Sequence, residues 1–199
     1  LQNNQQKTLS LSPTRIELIE NRISERYQTV ITSAMDWNFK ELIGFKETLY
    51  IVGGGHVGLA VSQLFRQLGF HVVVFDNRDN LNTLEVNNFA HEKHVIDYLE
   101  IAKHIKQGNN SYVAIMTNKY KDDKLVLSKI IRNQHKFIGV LGSKAKLKTM
   151  WEVLQKEGFS LDELNQIHAP IGLSIKSQTP EEIAVSIAAE IIRVKNEML

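Results

Sequence analysis

Residues 49–58 read Leu-Tyr-Ile-Val-Gly-Gly-Gly-His-Val-Gly. The apolar run Leu49 to Val52 enters Gly53-x-Gly55-x-x-Gly58, and apolar residues then recur at Leu59, Val61, Leu64, Phe65 and Leu68 with helical spacing. A second apolar run, Val72 to Phe75, ends in Asp76, about 20 residues beyond the first glycine. The order is strand, glycine turn, helix, strand, acid, and each part has its own physical task. Gly53 permits a tight turn out of the strand. Gly55 leaves room for a phosphate to approach the backbone, and Gly58 lets the helix pack close to the strand. Amides and dipole at the helix start favour an anion, and Asp76 stands where an acid takes a ribose hydroxyl. The competing reading is a purely structural tight turn.

Working outward, strands are predicted at 49–52, 71–75, 93–96, 111–116 and 136–141, and helices at 56–69, 81–88, 97–107, 121–134, 144–157 and 180–197. The segments 111–116 and 136–141 are nearly all apolar, as strands buried on both faces of a parallel sheet are. The predicted fold is α/β and Rossmann-like: a mostly parallel sheet with helices on both faces. A short N-terminal α+β appendage precedes it, with the division at 1–47 and 48–199. In the appendage, residues 1–12 read as polar and loose, and Ile16, Ile19 and Ile23 predict a helix over 13–27. A strand is expected at 28–34, and Trp37, Phe39, Leu42 and Phe45 are expected to cover the main core. Ser160-x-x-Glu163 and Thr179-Pro180-x-Glu182 have capping-box spacing. The last helix is expected to bury Ile183, Ile187, Ile191 and Val194 and to expose Glu182, Ser186, Glu190 and Arg193.

Ligands of open parallel sheets bind beyond the carboxyl ends of the strands. Four loops fall there and are expected to converge on one crevice: Gly53–Gly58, Asp76-Asn77-Arg78, Thr117-Asn118, and Gly142-Ser143-Lys144. The candidate cofactor-binding residues are Gly53, Gly54, Gly55, His56, Val57, Gly58, Asp76, Arg78, Thr117, Gly142 and Ser143. His56 faces a ligand or simply caps the turn. Arg78 holds a phosphate by a bidentate contact, pairs with Asp76, or is solvated. Ser143 caps a helix or helps form a second anion site. Lys144, Lys146 and Lys148 read as a solvated face, and Asp122 and Asp123 as complements to a helix dipole. His91 and His94 lack companions at metal-ligand spacing, so no metal site is assigned; no catalytic residue is nominated. The segment 167–180, broken by Pro170 and Gly172, reads as a buried crossover or as a wall of the crevice or a partner surface.

The chain has 199 residues and formal charge +2, with 43 % hydrophobic and 23 % charged residues, which suits a globular domain with an appendage. The charge gives no basic stripe for nucleic acid. Cysteine is absent, which excludes disulfides and thiolate chemistry. No apolar run reaches the ~18 residues of a membrane span. The polar start, Leu-Gln-Asn-Asn-Gln-Gln, lacks a signal-peptide core and an initiator methionine. A cytoplasmic location is expected, and the missing methionine admits a trimmed end.

Further motifs occur in a fixed order. Gly-Gly-Gly-His-Val-Gly58 and Asp76-x-Arg78 are followed by Phe137-Ile-Gly-Val-Leu-Gly-Ser-Lys144, His168-Ala-Pro-Ile-Gly-Leu173 and Thr179-Pro-Glu-Glu-Ile-Ala-Val-Ser-Ile-Ala-Ala-Glu190. Over residues 48–195 this resembles the C-terminal Rossmann-like domain of the XdhC/CoxI family, accessory proteins of xanthine dehydrogenase and related molybdenum hydroxylases. The resemblance implies a maturation factor that binds molybdenum cofactor (molybdopterin), assists its sulfuration and passes it to the apo-hydroxylase. The implied partners are a xanthine dehydrogenase-type molybdoenzyme and a sulfurtransferase, with a homodimer admitted, and neither nucleic acid nor membrane. Two motifs depart from the family pattern. Thr117-Asn118-Lys119 stands where the family commonly has Thr-His-Asp, although Asp123 matches its later acid, and Ser174-Ile175-Lys176 replaces Asp-Ile-Gly. The family's usual N-terminal domain is absent or reduced to the appendage. The alternatives are an NAD-dependent oxidoreductase, for which little chain remains to build a substrate pocket, and an NAD-sensing module without catalysis.

Overall fold

The structure is a computed structural model that describes residues 7–20, 27–44 and 47–197. The chain divides into two compact units, Leu1–Lys46 and Glu47–Leu199.

The first unit is an antiparallel sheet of β1 (Lys7–Ser12), β2 (Arg15–Ile19), β3 (Tyr27–Ser33) and β4 (Asp36–Ile43), in the order β2-β1-β4-β3. The helix predicted over 13–27 does not form among the described residues; Pro13-Thr14 instead turns β1 into β2. The two-residue spacing of Leu9 with Leu11 and of Ile16 with Leu18 fits a hairpin, where Leu9 meets Leu18 and Leu11 meets Ile16 across the strands. Cross-strand pairing of such residues is a stabilisation that the helical register lacks. Residues 7–12 are likewise strand and not loose chain. The strand expected at 28–34 is β3. Trp37, Phe39 and Leu42 stand half-buried on β4; Phe45 and Ile23 lie outside the described residues.

The second unit is the Rossmann-like domain. Five parallel strands are β5 (Thr48–Val52), β6 (His71–Asp76), β7 (Glu92–Val95), β8 (Gly108–Ile115) and β9 (His135–Val140), in the order β7-β6-β5-β8-β9. The helices are α1 (His56–Gln67), α2 (Asn82–Glu85), α3 (Ile101–His104), α4 (Tyr120–Ile130), α5 (Lys144–Lys156), α6 (Leu161–Asn165) and α7 (Pro180–Asn196). Alternate residues of the strands point to opposite faces. Tyr50, Val52, Val73, Phe75, Val113 and Ile115 pack with Ile101, Leu127, Met150 and Leu154 of α3, α4 and α5. Leu49, Ile51, Val72, Val74 and Ala114 pack on the other face with Phe65 of α1 and Ile187 and Ile191 of α7. Both faces are covered, which is why these strands are apolar along their length.

Two predicted helices are shorter than their apolar patterns. The one expected over 81–88 stops at Glu85, because the Asn87 side chain accepts hydrogen bonds from the Phe89 and Ala90 amides and turns the backbone away. The one expected over 97–107 is a 3-10 turn, Tyr98–Glu100, capped by Asp97, followed by the single turn α3. Both capping boxes are present, at Ser160/Glu163 and Thr179/Glu182.

Candidate functional site

Strand order places the switch point between β5 and β8, whose neighbours diverge to opposite sides of the sheet. The glycine turn leaves β5 there. Gly53 has φ +120°, and a Cβ on it would lie 2.3 Å from the carbonyl oxygen of Met116 at the end of β8. On Gly58 a Cβ would lie 2.2 Å from the Gly53 carbonyl oxygen. Packing therefore compels both glycines. Gly55 is different: its backbone is extended, it caps α1 with no side-chain hydrogen bond, and a Cβ there would meet nothing within 4 Å. Ser143, Ser160 and Thr179 cap the starts of α5, α6 and α7 with their hydroxyls, whereas α1 has neither a side-chain cap nor an acid in its first turn. His56 is exposed and Val57 half-exposed beside this opening. Such a helix start can receive an anion.

The four loops are joined to one another. The Gly54 amide donates to Asp76 Oδ2 (2.7 Å), and Thr83 donates to the Gly54 carbonyl (2.6 Å). Asn77 reaches Asp122 across 3.4 Å. Thr117 donates to Asp123 Oδ1 through both its amide (2.9 Å) and its hydroxyl (2.6 Å). Lys146 Nζ donates to Asp123 Oδ2 (2.6 Å), with its stem across Gly142, where a Cβ would be 3.2 Å from Lys146 Cδ.

Asp76 is buried and its carboxylate fully engaged. Besides Gly54, it accepts from the Arg78 amide (3.0 Å), Nε (2.8 Å) and Nη2 (2.8 Å). Burial pushes its pKa up, but the Arg78 guanidinium and the Gly54 and Arg78 amides outweigh burial and hold the group below the usual carboxylate range. Burial pushes the neighbouring Tyr98 phenol far up, and the Asp76 charge adds to the effect. Arg78 thus adopts the pairing with Asp76. Ser143 adopts the capping role, accepting from the Lys146 amide at 3.3 Å.

The structure departs from three expectations. Lys146 is not part of a solvated face, and Asp123 does more than complement a dipole: Asp123 is wholly buried and Lys146 neutralises it. Glu190 and Ser186 are not exposed on the last helix. Glu190 accepts from the Gly172 amide (2.6 Å) and meets His168 Nδ1 at 2.9 Å; Ser186 donates to the Leu173 carbonyl (2.6 Å). These contacts fasten the 167–180 segment, in which His168 bridges to the β9 edge and the Ala169–Pro170 bond is cis. A signal for Glu190 existed: at helical spacing it borders the arc of Ile183, Ile187, Ile191 and Val194 and does not lie opposite it. Only the match of Asp123 to a family acid hinted at its role. A groove of about 480 Å³ runs between α5 and residues 169–170, and none of its lining residues belongs to the glycine turn.

A family model of the XdhC Rossmann domain matches residues 49–191. The chain belongs to the XdhC family. Within the XdhC domain the glycine turn, the Thr117–Asp123–Lys146 cluster and the Glu190-held segment all fall inside the matched residues. The chain is 31 % identical over 159 residues to the uncharacterized protein YqeB of Escherichia coli, covering 79 % of this chain and 29 % of that protein. It is 24 % identical over 160 residues to a probable xanthine dehydrogenase subunit of Bacillus subtilis, covering 80 % of this chain and 46 % of that protein. The chain therefore spans less than half the length of these curated relatives. A crystal structure of a xanthine dehydrogenase from Bacillus halodurans superposes with a TM-score of 0.71 at 24 % identity, covering all of this chain and 62 % of that one. This likeness shows the fold. Among the described residues no helix is long and apolar enough to cross a membrane.

Proposed function

We propose that this XdhC domain belongs to an accessory factor of a xanthine dehydrogenase-type molybdenum hydroxylase, and that its glycine turn holds a phosphate-bearing ligand, the molybdenum cofactor, on the way to that enzyme. One observation carries the reading. Gly53 and Gly58 are compelled by packing, but the space over Gly55 is open, at a helix start with no side-chain cap. A site shaped only for folding has no need of a third glycine there; a phosphate approaching the amides does. The residues fit the cofactor as cargo. The Gly55–Gly58 amides would take the phosphate, His56 and Val57 would flank it, and Arg78 would stand at the rim. The cofactor's phosphate is the group this chain would grip, while its metal chemistry belongs to the client enzyme. The family and the names of two of the similar proteins support the link to a xanthine dehydrogenase system. A sulfurtransferase is the further partner that cofactor sulfuration calls for.

The test is to denature the purified protein and identify the released small molecule by mass spectrometry and by the fluorescence of its oxidised pterin. An oxidised pterin phosphate is expected from the wild type and its loss from Gly55→Val. Retention of the same ligand by folded Gly55→Val overturns the proposed site, and release of NAD in place of a pterin overturns the cargo.

A further inference from the structure

The Asp76–Arg78 pair bears on which phosphate-bearing ligands this crevice accepts. In a dinucleotide site of this architecture, the acid after the second strand accepts hydrogen bonds from ribose hydroxyls. A carboxylate offers roughly four lone-pair positions. Here four donors already occupy Asp76: the Arg78 amide and Nε on Oδ1, and the Gly54 amide and Arg78 Nη2 on Oδ2. The carboxylate is 1 % exposed, while the Arg78 side chain above it is 34 % exposed. Asp76 therefore braces the glycine turn from below, and the guanidinium covers the surface that a ribose diol would address. Arg78 uses Nε and Nη2 on Asp76, and its Nη1 end makes no hydrogen bond among the described residues. The group presented to the crevice is thus a cation with spare donors, where a nucleoside site presents an acceptor.

We infer that the Asp76–Arg78 pair is a specificity device: it leaves the crevice without an acceptor for a ribose cis-diol and selects for a ligand that presents an anionic group to Arg78. The inference rests on the proposed phosphate site and narrows its ligand class. It favours a phosphate-bearing molecule whose grip does not depend on ribose, and it sets aside the NAD-dependent readings of the glycine motif. Binding a diol at Asp76 would require two of the Arg78 hydrogen bonds to break, leaving a guanidinium to be accommodated beside the incoming sugar.

Calorimetric titration of the whole chain with inorganic pyrophosphate, ADP, 2′-deoxy-ADP and NAD tests this. For the wild type, pyrophosphate is expected to bind, and ADP and 2′-deoxy-ADP to bind alike within about twofold, because no free acceptor reads the 2′-hydroxyl. In Arg78→Met, pyrophosphate should weaken about tenfold, and NAD and ADP should gain about tenfold as Asp76 is freed. Arg78→Lys, which keeps a cation but not the two-toothed contact, should fall between; it serves if the methionine variant does not fold. A wild-type preference of tenfold or more for ADP over 2′-deoxy-ADP, or equal NAD affinity in wild type and Arg78→Met, overturns the inference and leaves the phosphate site standing. Failure of the wild type to bind pyrophosphate, or pyrophosphate binding unchanged by Gly55→Val, overturns the phosphate site itself.

Discussion

Lys146 Nζ lies 2.6 Å from the buried carboxylate of Asp123, and the same carboxylate holds the amide and hydroxyl of Thr117 at the end of β8. One ion pair therefore ties the start of α5 to the loop beside the glycine turn. Lys146→Met keeps the stem over Gly142 and deletes the charge, leaving Asp123 buried and uncompensated. Removing one partner of a buried pair is strongly destabilising, and the partial exposure of Lys146 moderates that to about 2 kcal/mol. Urea denaturation measures it, and a midpoint equal to wild type would contradict the role assigned to the pair.

The glycines of the turn separate by substitution. Gly58→Ala forces a Cβ against the Gly53 carbonyl oxygen and is expected to cost about 3 kcal/mol. Gly55→Ala adds its methyl to open space in an ordinary backbone conformation, so stability should change by no more than about 0.5 kcal/mol while anion binding weakens. Equal destabilisation by the two variants would mean that Gly55 too is required for packing.

Glu190 fastens the 167–180 segment through the Gly172 amide and His168. Burial raises its pKa, but the His168 and Gly172 contacts prevail and hold it below the usual range, as a charged anchor requires. Glu190→Ala strands both donors and is expected to lower stability by about 2–3 kcal/mol, roughly 5–10 °C in melting temperature. Thermal melts followed by circular dichroism decide it; a shift below about 2 °C would show the segment to be held by its apolar contacts alone.

Burial pushes the His135 imidazole down to about 4. Its Nδ1 meets Ser111 Oγ at 2.8 Å, and its Nε2 is buried without a partner among the described residues. An unfolded histidine takes up its proton near pH 6.5. Between these values the unfolded chain binds more protons, so this contribution is complete above about pH 6.5 and is lost as pH falls toward 4. The loss amounts to at most about 3 kcal/mol. Denaturant midpoints measured from neutral pH downward should fall more steeply for wild type than for His135→Gln. Superimposable pH profiles would show that His135 titrates normally.

The alternation of strands and helices from Leu49 onward, the glycine turn and the two capping boxes were legible because each is a local pattern: apolar period, backbone freedom, or a side chain reaching three residues along the chain. The N-terminal unit is ambiguous in sequence because Ile16 and Ile19 suit a helix while Ile16 and Leu18 suit a strand, and only cross-strand partners such as Leu9 with Leu18 decide between them. The same division runs through the site. Residues 53–58 are legible as a glycine turn from strand to helix from their spacing alone. What Asp76 does with its oxygens, and that Asp123 is neutralised by Lys146 while Glu190 turns inward, depends on groups brought together from distant loops. Hydrogen bonding and burial are properties of neighbours in space. The order of residues fixes which groups are available, and the folded sheet alone determines which of them are already taken.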